Sequence, residues 1–437
     1  MKTPASTPAA NPMAISAATR LLLIVLILAA GVEFAARGPV RFLRNPTNWN
    51  DFSQNYVASK LWLAGESPSR PENFVRLWKR ESGSRLELAD IRTHLAPPLG
   101  TLVLLAPIAA LPWPVAKIVW LALLLLAFAL AVVSLAGTAQ FRIDEPRTLA
   151  FVAASLALAP FHTGIAMGNV SVIAIAVCAL AMWAAHHRHD ASAGVLLAVS
   201  VSLKPQIGAF FVLYYLARRR WRIFVSAAAL TAGLVLLAAL YLQIHGVAWF
   251  QDYLANAKGF FTADRIDDFT AANPIRFTLI NLQVAFGTLT PQASTANLLA
   301  FSISGILLAA WLFFVARRGT CESEILDLSA VSVLSLLPVY HRFYDAALLL
   351  VPLCWGLSQL RGKLKMIAAL ALLLMVPFLV PGTAFLEQLA ARGKVRAFAV
   401  NSWWWNSLLM PHQTWLLLLL GLVLLYAVGL GSKQHRR

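Results

Sequence analysis

Blocks of roughly twenty apolar residues alternate with short polar connections along most of the chain. A helix of that length spans a hydrocarbon layer of ~30 Å. The blocks fall at 20–36, 95–112, 115–137, 148–166, 169–186, 191–217, 222–245, 296–316, 325–341, 344–359, 366–382 and 413–431. No alternation in segments of about ten residues, the mark of a membrane β-barrel, is visible. The pattern predicts an all-α polytopic membrane protein with about twelve transmembrane helices. Two places invite a re-entrant pair instead of two crossings: the short block 344–359 and the Gly168-Asn169 interruption.

Three polar segments are long: 37–94, 246–295 and 383–412. With the N-terminus inside, they share the face opposite the dense basic runs Arg218–Arg222, Arg317-Arg318, Arg361–Lys365 and Lys433–Arg437. Positive charge concentrates on the cytoplasmic side of membrane proteins, so the long segments are expected outside the cytoplasm. The organisation is then a disordered cytoplasmic N-terminus (1–19), one transmembrane domain (20–431) and a basic cytoplasmic tail (432–437). The first outer loop carries two helical signals. Asn50 or Asp51 can cap a helix running to about Ala64, with Gly65 just beyond its end. A second helix is predicted at 72–81, with Phe74, Leu77 and Trp78 on one side and Arg76, Lys79 and Arg80 elsewhere. Both are amphipathic enough to lie in the membrane interface.

Composition agrees with this reading. Of 437 residues, 59% are hydrophobic and 13% charged, about half the charge of a soluble domain. The net charge of +17 comes from basic residues in short connections rather than from a separate basic domain, which argues against nucleic acid as a partner. Cys178, Cys321 and Cys354 form neither a disulfide framework nor a zinc motif. The apolar block after Arg20 is too long for a signal-peptide core and stays as a span. No internal repeat is visible, which counts against transporter folds built from paired halves.

Polar residues inside or beside the apolar blocks are the candidates for chemistry. Asp51, where the chain leaves the first span, has three readings: general base, ion ligand or helix cap. Lys204 falls near the middle of a predicted span, where a lysine costs about 2.5–3.5 kcal/mol unless a carboxylate, a water cavity or a phosphate offsets it. Snorkelling to the surface is its other reading. Pro338, His341, Arg342, Tyr344 and Asp345 interrupt the run 325–359, either as a polar break within the membrane or as a loop reaching its surface. His186, His187 and His189 occupy a short turn and are expected to be hydrated rather than metal-bound. Asp264, Asp267 and Asp268 read as a solvated acidic patch, and Trp403-Trp404-Trp405 as an interfacial belt.

Several short motifs then bear on function together. They are Asp51-Phe52 with Tyr56, Ala58 and Gly65; His94-Leu95-Ala96-Pro97-Pro98 with Ala106-Pro107, Leu111-Pro112 and Trp120; Gly168-Asn169-Val170-Ser171; Leu203-Lys204-Pro205-Gln206; and Pro338 to Asp345. In this order they resemble the GT-C membrane glycosyltransferases, specifically the alpha-mannosyltransferase-like glycosyltransferase family 87. The sequence departs from that pattern at His94 and Ala96, where a Tyr is usual close by, and at Asn169, where Gln is commoner. The resemblance implies a GT-C-type fold and an inverting hexosyltransferase of a bacterial-type inner membrane. Its donor would be a polyprenyl-phosphate sugar, with mannose the family's suggestion. The acceptor would be a lipid or glycan on the extracytoplasmic face, and neither cofactor nor metal is expected. In that scheme Asp51 is the base, and Lys204, His341 and Arg342 meet the donor phosphate. Asn50, Gln54, Tyr56, Gln206, Tyr344 and Asp345 contribute to substrate binding, Gln206 sharing the phosphate and Asp345 orienting a cation. The rival readings are a polytopic transporter and an O-antigen-ligase or polymerase-like enzyme.

Overall fold

Without water, a chain crossing a bilayer must satisfy its backbone hydrogen bonds within each segment, and the apolar blocks do so as helices. The computed structural model describes residues 16–45, 49–83, 97–260, 267–317 and 324–434. Most of the expected N-terminal arm, His94, Ala96, Asp264, Cys321 and the last three tail residues lie outside the described residues. Among those described, structure is helical throughout apart from one isolated bridge between Leu279 and Arg342.

The helices α1 (Ala17–Arg37) and α2 (Pro39–Leu43) lead into the first polar loop, where both expected helices form: α3 (Asp51–Leu63) and α4 (Pro71–Ser82). Then come α5 (Leu99–Ala109), α6 (Trp113–Thr138), α7 (Pro146–Ala157), α8 (Ala159–Met167), α9 (Ser171–His186), α10 (Asp190–Leu203), α11 (Pro205–Ala217) and α12 (Trp221–Ile244). The second half holds α13 (Trp249–Phe260), α14 (Leu282–Gly287), α15 (Ala293–Arg317), α16 (Glu324–Leu334), a 3-10 turn (Phe343–Leu349) running into α17 (Leu350–Gln359), α18 (Lys365–Met375), α19 (Gly382–Ala391), α20 (Ala397–Val400) and α21 (His412–Gln434).

By length and composition, five described segments can cross a membrane: Ala17–Leu43, Trp113–Thr138, Trp221–Ile244, Ala293–Arg317 and His412–Gly431. Counting two bent pairs as single spans brings the number to seven. The chain is a polytopic membrane protein whose remaining apolar blocks are shorter or broken helices. Block 148–166 divides into α7 and α8, bent by 46°. Block 191–217 divides at Lys204, whose backbone (φ −152°, ψ 87°) is not helical. Proline marks both breaks: Pro160 and Pro205 have no N–H to give, and at the second break Lys204, the residue before Pro205, is pushed away from helical geometry. The end of α18 turns at Pro377 and Pro381 in the same way.

Helix α9 is buried on almost every side, and its Ala174, Ala176, Ala181 and Ala184 let α6 and α10 approach closely. Helix α12, with 24 residues, is about 36 Å from end to end. The Arg218–Arg222 run lies at its start. Near its other end, Trp62 Nε1 donates to Ala238 O at 3.1 Å and Tyr241 Oη to Leu63 O at 3.0 Å. The C-terminal end of α3 therefore lies at the far end of α12 from that basic run.

Candidate active site

The site begins with the cap of α3. Asn50, not Asp51, takes the N-cap: its Oδ1 accepts from Ser53 N at 2.9 Å, while Ser53 Oγ accepts from Asn50 N at 3.0 Å. Asp51 is the first residue of the helix, and its carboxylate is free of capping duty. One residue on, Phe52 stacks on Trp120 with ring centroids 4.7 Å apart, fixing α3 against α6. Trp120 Nε1 in turn donates to Gly168 O at 2.9 Å.

Gly168 ends α8 in the left-handed region at φ +64°, and a Cβ there would approach Phe42 and Phe52 to 2.8 Å. Only glycine fits this turn without strain. The turn delivers Asn169 to the start of α9, where Asn169 Oδ1 accepts from Ser171 N at 2.8 Å. That bond fixes the plane of the amide and turns its nitrogen toward Asp51; Asn169 Nδ2 donates to Asp51 Oδ2 at 2.6 Å.

Beyond Asn169 the network continues into the membrane domain. Ser171 Oγ lies 2.5 Å from Asn169 Oδ1 and 2.6 Å from Asp345 Oδ1, and it accepts from Lys204 Nζ at 2.7 Å. Lys204, at the α10–α11 break, also donates to Asp345 Oδ1 at 2.5 Å and stands 4.9 Å from the centre of the Tyr344 ring. The second Asp345 oxygen accepts from Arg342 N at 3.1 Å and lies 3.0 Å from His341 Nδ1. His341 and Asp345 are fully buried and Lys204 is 7% exposed. The carboxylate partner answers the cost of a lysine in the apolar domain, so Lys204 does not snorkel. Three polar atoms stay open in this cluster: His341 Nε2 and the donors Nε and Nη2 of Arg342 are buried without a partner. Asp51 is tied to this break through Asn169 and Ser171.

The structure therefore joins Asp51, Lys204, His341, Arg342, Tyr344 and Asp345, helix ends far apart in sequence. Asn50 is buried next to Asp51, its amide nitrogen unpartnered. Gln54 is half-buried one turn along α3, and Gln206 half-buried two residues after Lys204. Tyr56 does not join the cluster. It faces α4, where its hydroxyl lies 2.8 Å from Leu111 O and accepts from Lys60 Nζ at 2.8 Å. Lys60 also reaches Glu81 at 2.9 Å.

Sequence reasoning quoted Asn169 and Ser171 but assigned them no role. The available signal was two polar residues at a break between long apolar blocks. The acidic loop and the tryptophan run take quieter positions. Asp268 Oδ1 accepts from Thr270 N at 2.8 Å within its own turn. Trp403 and Trp404 are exposed, whereas Trp405 packs with Phe277, Leu279 and Met410. Among the described residues, no group of three or more His, Cys, Asp or Glu is arranged to hold a metal.

This arrangement is an acid tethered to a buried cluster of cations with spare donors. A family model, that of glycosyltransferase family 87, matches residues 96–339, more than half of the chain. The chain belongs to glycosyltransferase family 87. The matched region of this transferase contains Asn169, Ser171 and Lys204, and it ends two residues before His341. No curated protein matches the chain. As a family 87 member it is a membrane glycosyltransferase, and a site for it must hold a sugar donor and an acceptor.

Proposed function

We propose that this transferase is an inverting enzyme of the GT-C type, moving a hexose from a polyprenyl-phosphate donor to a lipid or glycan acceptor on the extracytoplasmic face of the inner membrane. One observation carries the reading: an unburdened carboxylate, Asp51, is wired through Asn169 and Ser171 to Lys204, Asp345 and His341. An acceptor hydroxyl gives its proton to Asp51, and its oxygen attacks the anomeric carbon from the side opposite the phosphate. The anomeric C–O bond breaks, and the electron pair leaves with the polyprenyl phosphate. The added charge on that phosphate falls to the open donors of Arg342, and to His341 in its protonated form, with Lys204 close by. Arginine suits the task because its planar fork grips two phosphate oxygens at once. Asp345 holds Lys204 and His341 in place, and Tyr344 lies under the ammonium. Gln206 is within two residues of that ammonium, and Asn50 and Gln54 flank the base. Mannose is the sugar to try first, on the family's precedent.

The test is transfer from radiolabelled polyprenyl-phosphate mannose to lipid extract by purified protein in nanodiscs. Wild type is expected to move label to an extractable acceptor. Asp51→Asn should reduce turnover by about 10²–10⁴-fold, the usual contribution of a general base. Wild-type turnover in Asp51→Asn would remove Asp51 from the reaction.

A further inference from the structure

The break carrying His341 and Arg342 is lined by a second segment. Ile280 N donates to His341 O at 3.0 Å, Leu282 N donates to Leu337 O at 3.0 Å, and Leu279 bridges Arg342 in antiparallel fashion. Alternate residues of a paired extended segment share a face, as do residues directly opposite one another. By that rule Leu279, Asn281, Tyr340 and Arg342 stand on one face. Ile280 and Leu282 pack into the main core, and His341 turns to Asp345. On that face Leu279 and Tyr340 pack with Phe277 and Trp405, and Arg342 carries its unpartnered guanidinium nitrogens.

Beside the break, at the end of this segment and the start of α14, are two amides with unused oxygens. Asn281 and Gln283 are each 4% exposed, and neither Asn281 Oδ1 nor Gln283 Oε1 has a hydrogen-bond partner. Asn281 immediately precedes α14, where an asparagine ordinarily folds back to cap the helix, yet it makes no capping bond. Gln283 has its nitrogen committed: Nε2 donates to Pro338 O at 2.8 Å, which fixes the amide plane and holds the oxygen beside the break. Buried acceptors left without a hydrogen are disfavoured, and a ligand bearing hydroxyls relieves them. Lys204 and Arg342 are donors suited to phosphate; these two amide oxygens are acceptors, the complement needed for the hydroxyls of a sugar attached to that phosphate.

We propose that Asn281 and Gln283 read the hydroxyls of the transferred sugar. Their amide oxygens accept from ring hydroxyls while the anomeric phosphate rests on Arg342 and His341. The assignment rests on the donor-phosphate reading above, and it makes a fully hydroxylated hexose the substrate class. A pocket built to bond a hydroxyl rejects the analogue that lacks it far more strongly than a missing methylene is rejected.

Equilibrium binding tests this apart from catalysis. The full-length protein in nanodiscs is titrated with farnesyl-phosphate mannose and with its four monodeoxy analogues (2-, 3-, 4- and 6-deoxy), and turnover of each is measured alongside. Wild type is expected to bind the parent about tenfold or more tightly than at least one deoxy analogue. Asn281→Ala or Gln283→Met should erase the preference at one position while still binding that deoxy analogue as wild type does. A merely structural role would weaken the whole series together. Wild-type discrimination in both variants, or equal binding of all analogues by wild type, overturns the proposal, even if sugar transfer itself is confirmed. Binding that discriminates without any transfer supports the sugar subsite and overturns the transfer reaction. No binding of the parent overturns both. Parent binding that a saturating water-soluble methyl mannoside does not weaken, with no deoxy preference, identifies the two oxygens as water-filled and also overturns the proposal.

Discussion

Asp345 is a fully buried carboxylate, kept ionic by the Lys204 ammonium, the His341 ring, the Ser171 hydroxyl and the Arg342 amide. Removing one partner of a buried pair leaves the other charge uncompensated, at a cost of about 3–5 kcal/mol. Asp345→Asn should therefore destabilise strongly, and Lys204→Met in the same chain should restore much of the loss. Thermal unfolding of the single and double variants in detergent measures this. Additive losses would show that the pair does not hold the break together. Transfer should stay low in the double variant, because the donor phosphate has lost a cation. At this scale the sequence exposed Asp51, Lys204, His341 and Asp345, because charge in or beside an apolar block is conspicuous. It did not show which residue pairs with which. Asn169 and Ser171 were ordinary in composition, and their importance comes only from standing between Asp51 and Asp345.

Helix α3 was legible from its caps and α4 from its apolar and basic sides. Asn50 and Gly65 bracket one, and Gly83 at φ +65° ends the other. What joins them was not legible. Tyr56, Lys60, Glu81 and the Leu111 carbonyl meet in one knot, although Tyr56 had been expected at the substrate. Burial works against the Glu81 carboxylate, but the Lys60 hydrogen bond and charge, then the Tyr56 hydroxyl, hold it below its ordinary value of 4.5. A lowered folded-state value means the stabilisation is present above pH 4.5 and is lost as pH falls through that lower value. Glu81→Gln should cost roughly 1–3 kcal/mol at neutral pH, as expected for a hydrogen bond to a charged group. It should also flatten the decline in stability below pH 4.5. Melting curves from pH 7 to 3 test both, and superimposable wild-type and variant profiles would discard the knot as a contributor. The broken blocks escaped prediction for a related reason. Hydropathy averages over Pro160 and Pro205, whereas the backbone responds to each proline individually.

At the scale of the molecule, α3 meets α12 at Ala238 and Tyr241, roughly 26–30 Å along the helix from the Arg218–Arg222 run and so about the ~30 Å hydrocarbon thickness away. Given the preference of arginine and lysine for the cytoplasmic side, α4 should face outward. Glu72 and Arg188 are exposed and Cys178 and Cys354 buried, so single cysteines can report the orientation once Cys321 is replaced by serine. A membrane-impermeant maleimide is expected to label Glu72→Cys in intact cells and Arg188→Cys only after permeabilisation. The reverse pattern would put the site in the cytoplasm and end the reading of a lipid-phosphate donor used outside.

By itself, the sequence determined the membrane class, the helical character of each apolar block, the two helices of the first loop and the family. These follow from local quantities: hydropathy over about twenty residues, capping chemistry and short motifs. Tertiary structure alone decided that α3, the Gly168 turn, the Lys204 break and the His341 break converge, and that the segment before α14 pairs with the His341 break. The reason is physical. A buried ion is tolerated only where donors from other segments reach it, and chain separation says nothing about which segments do. The link from Asp51 to Asp345 crosses three such segments, through Asn169 and Ser171.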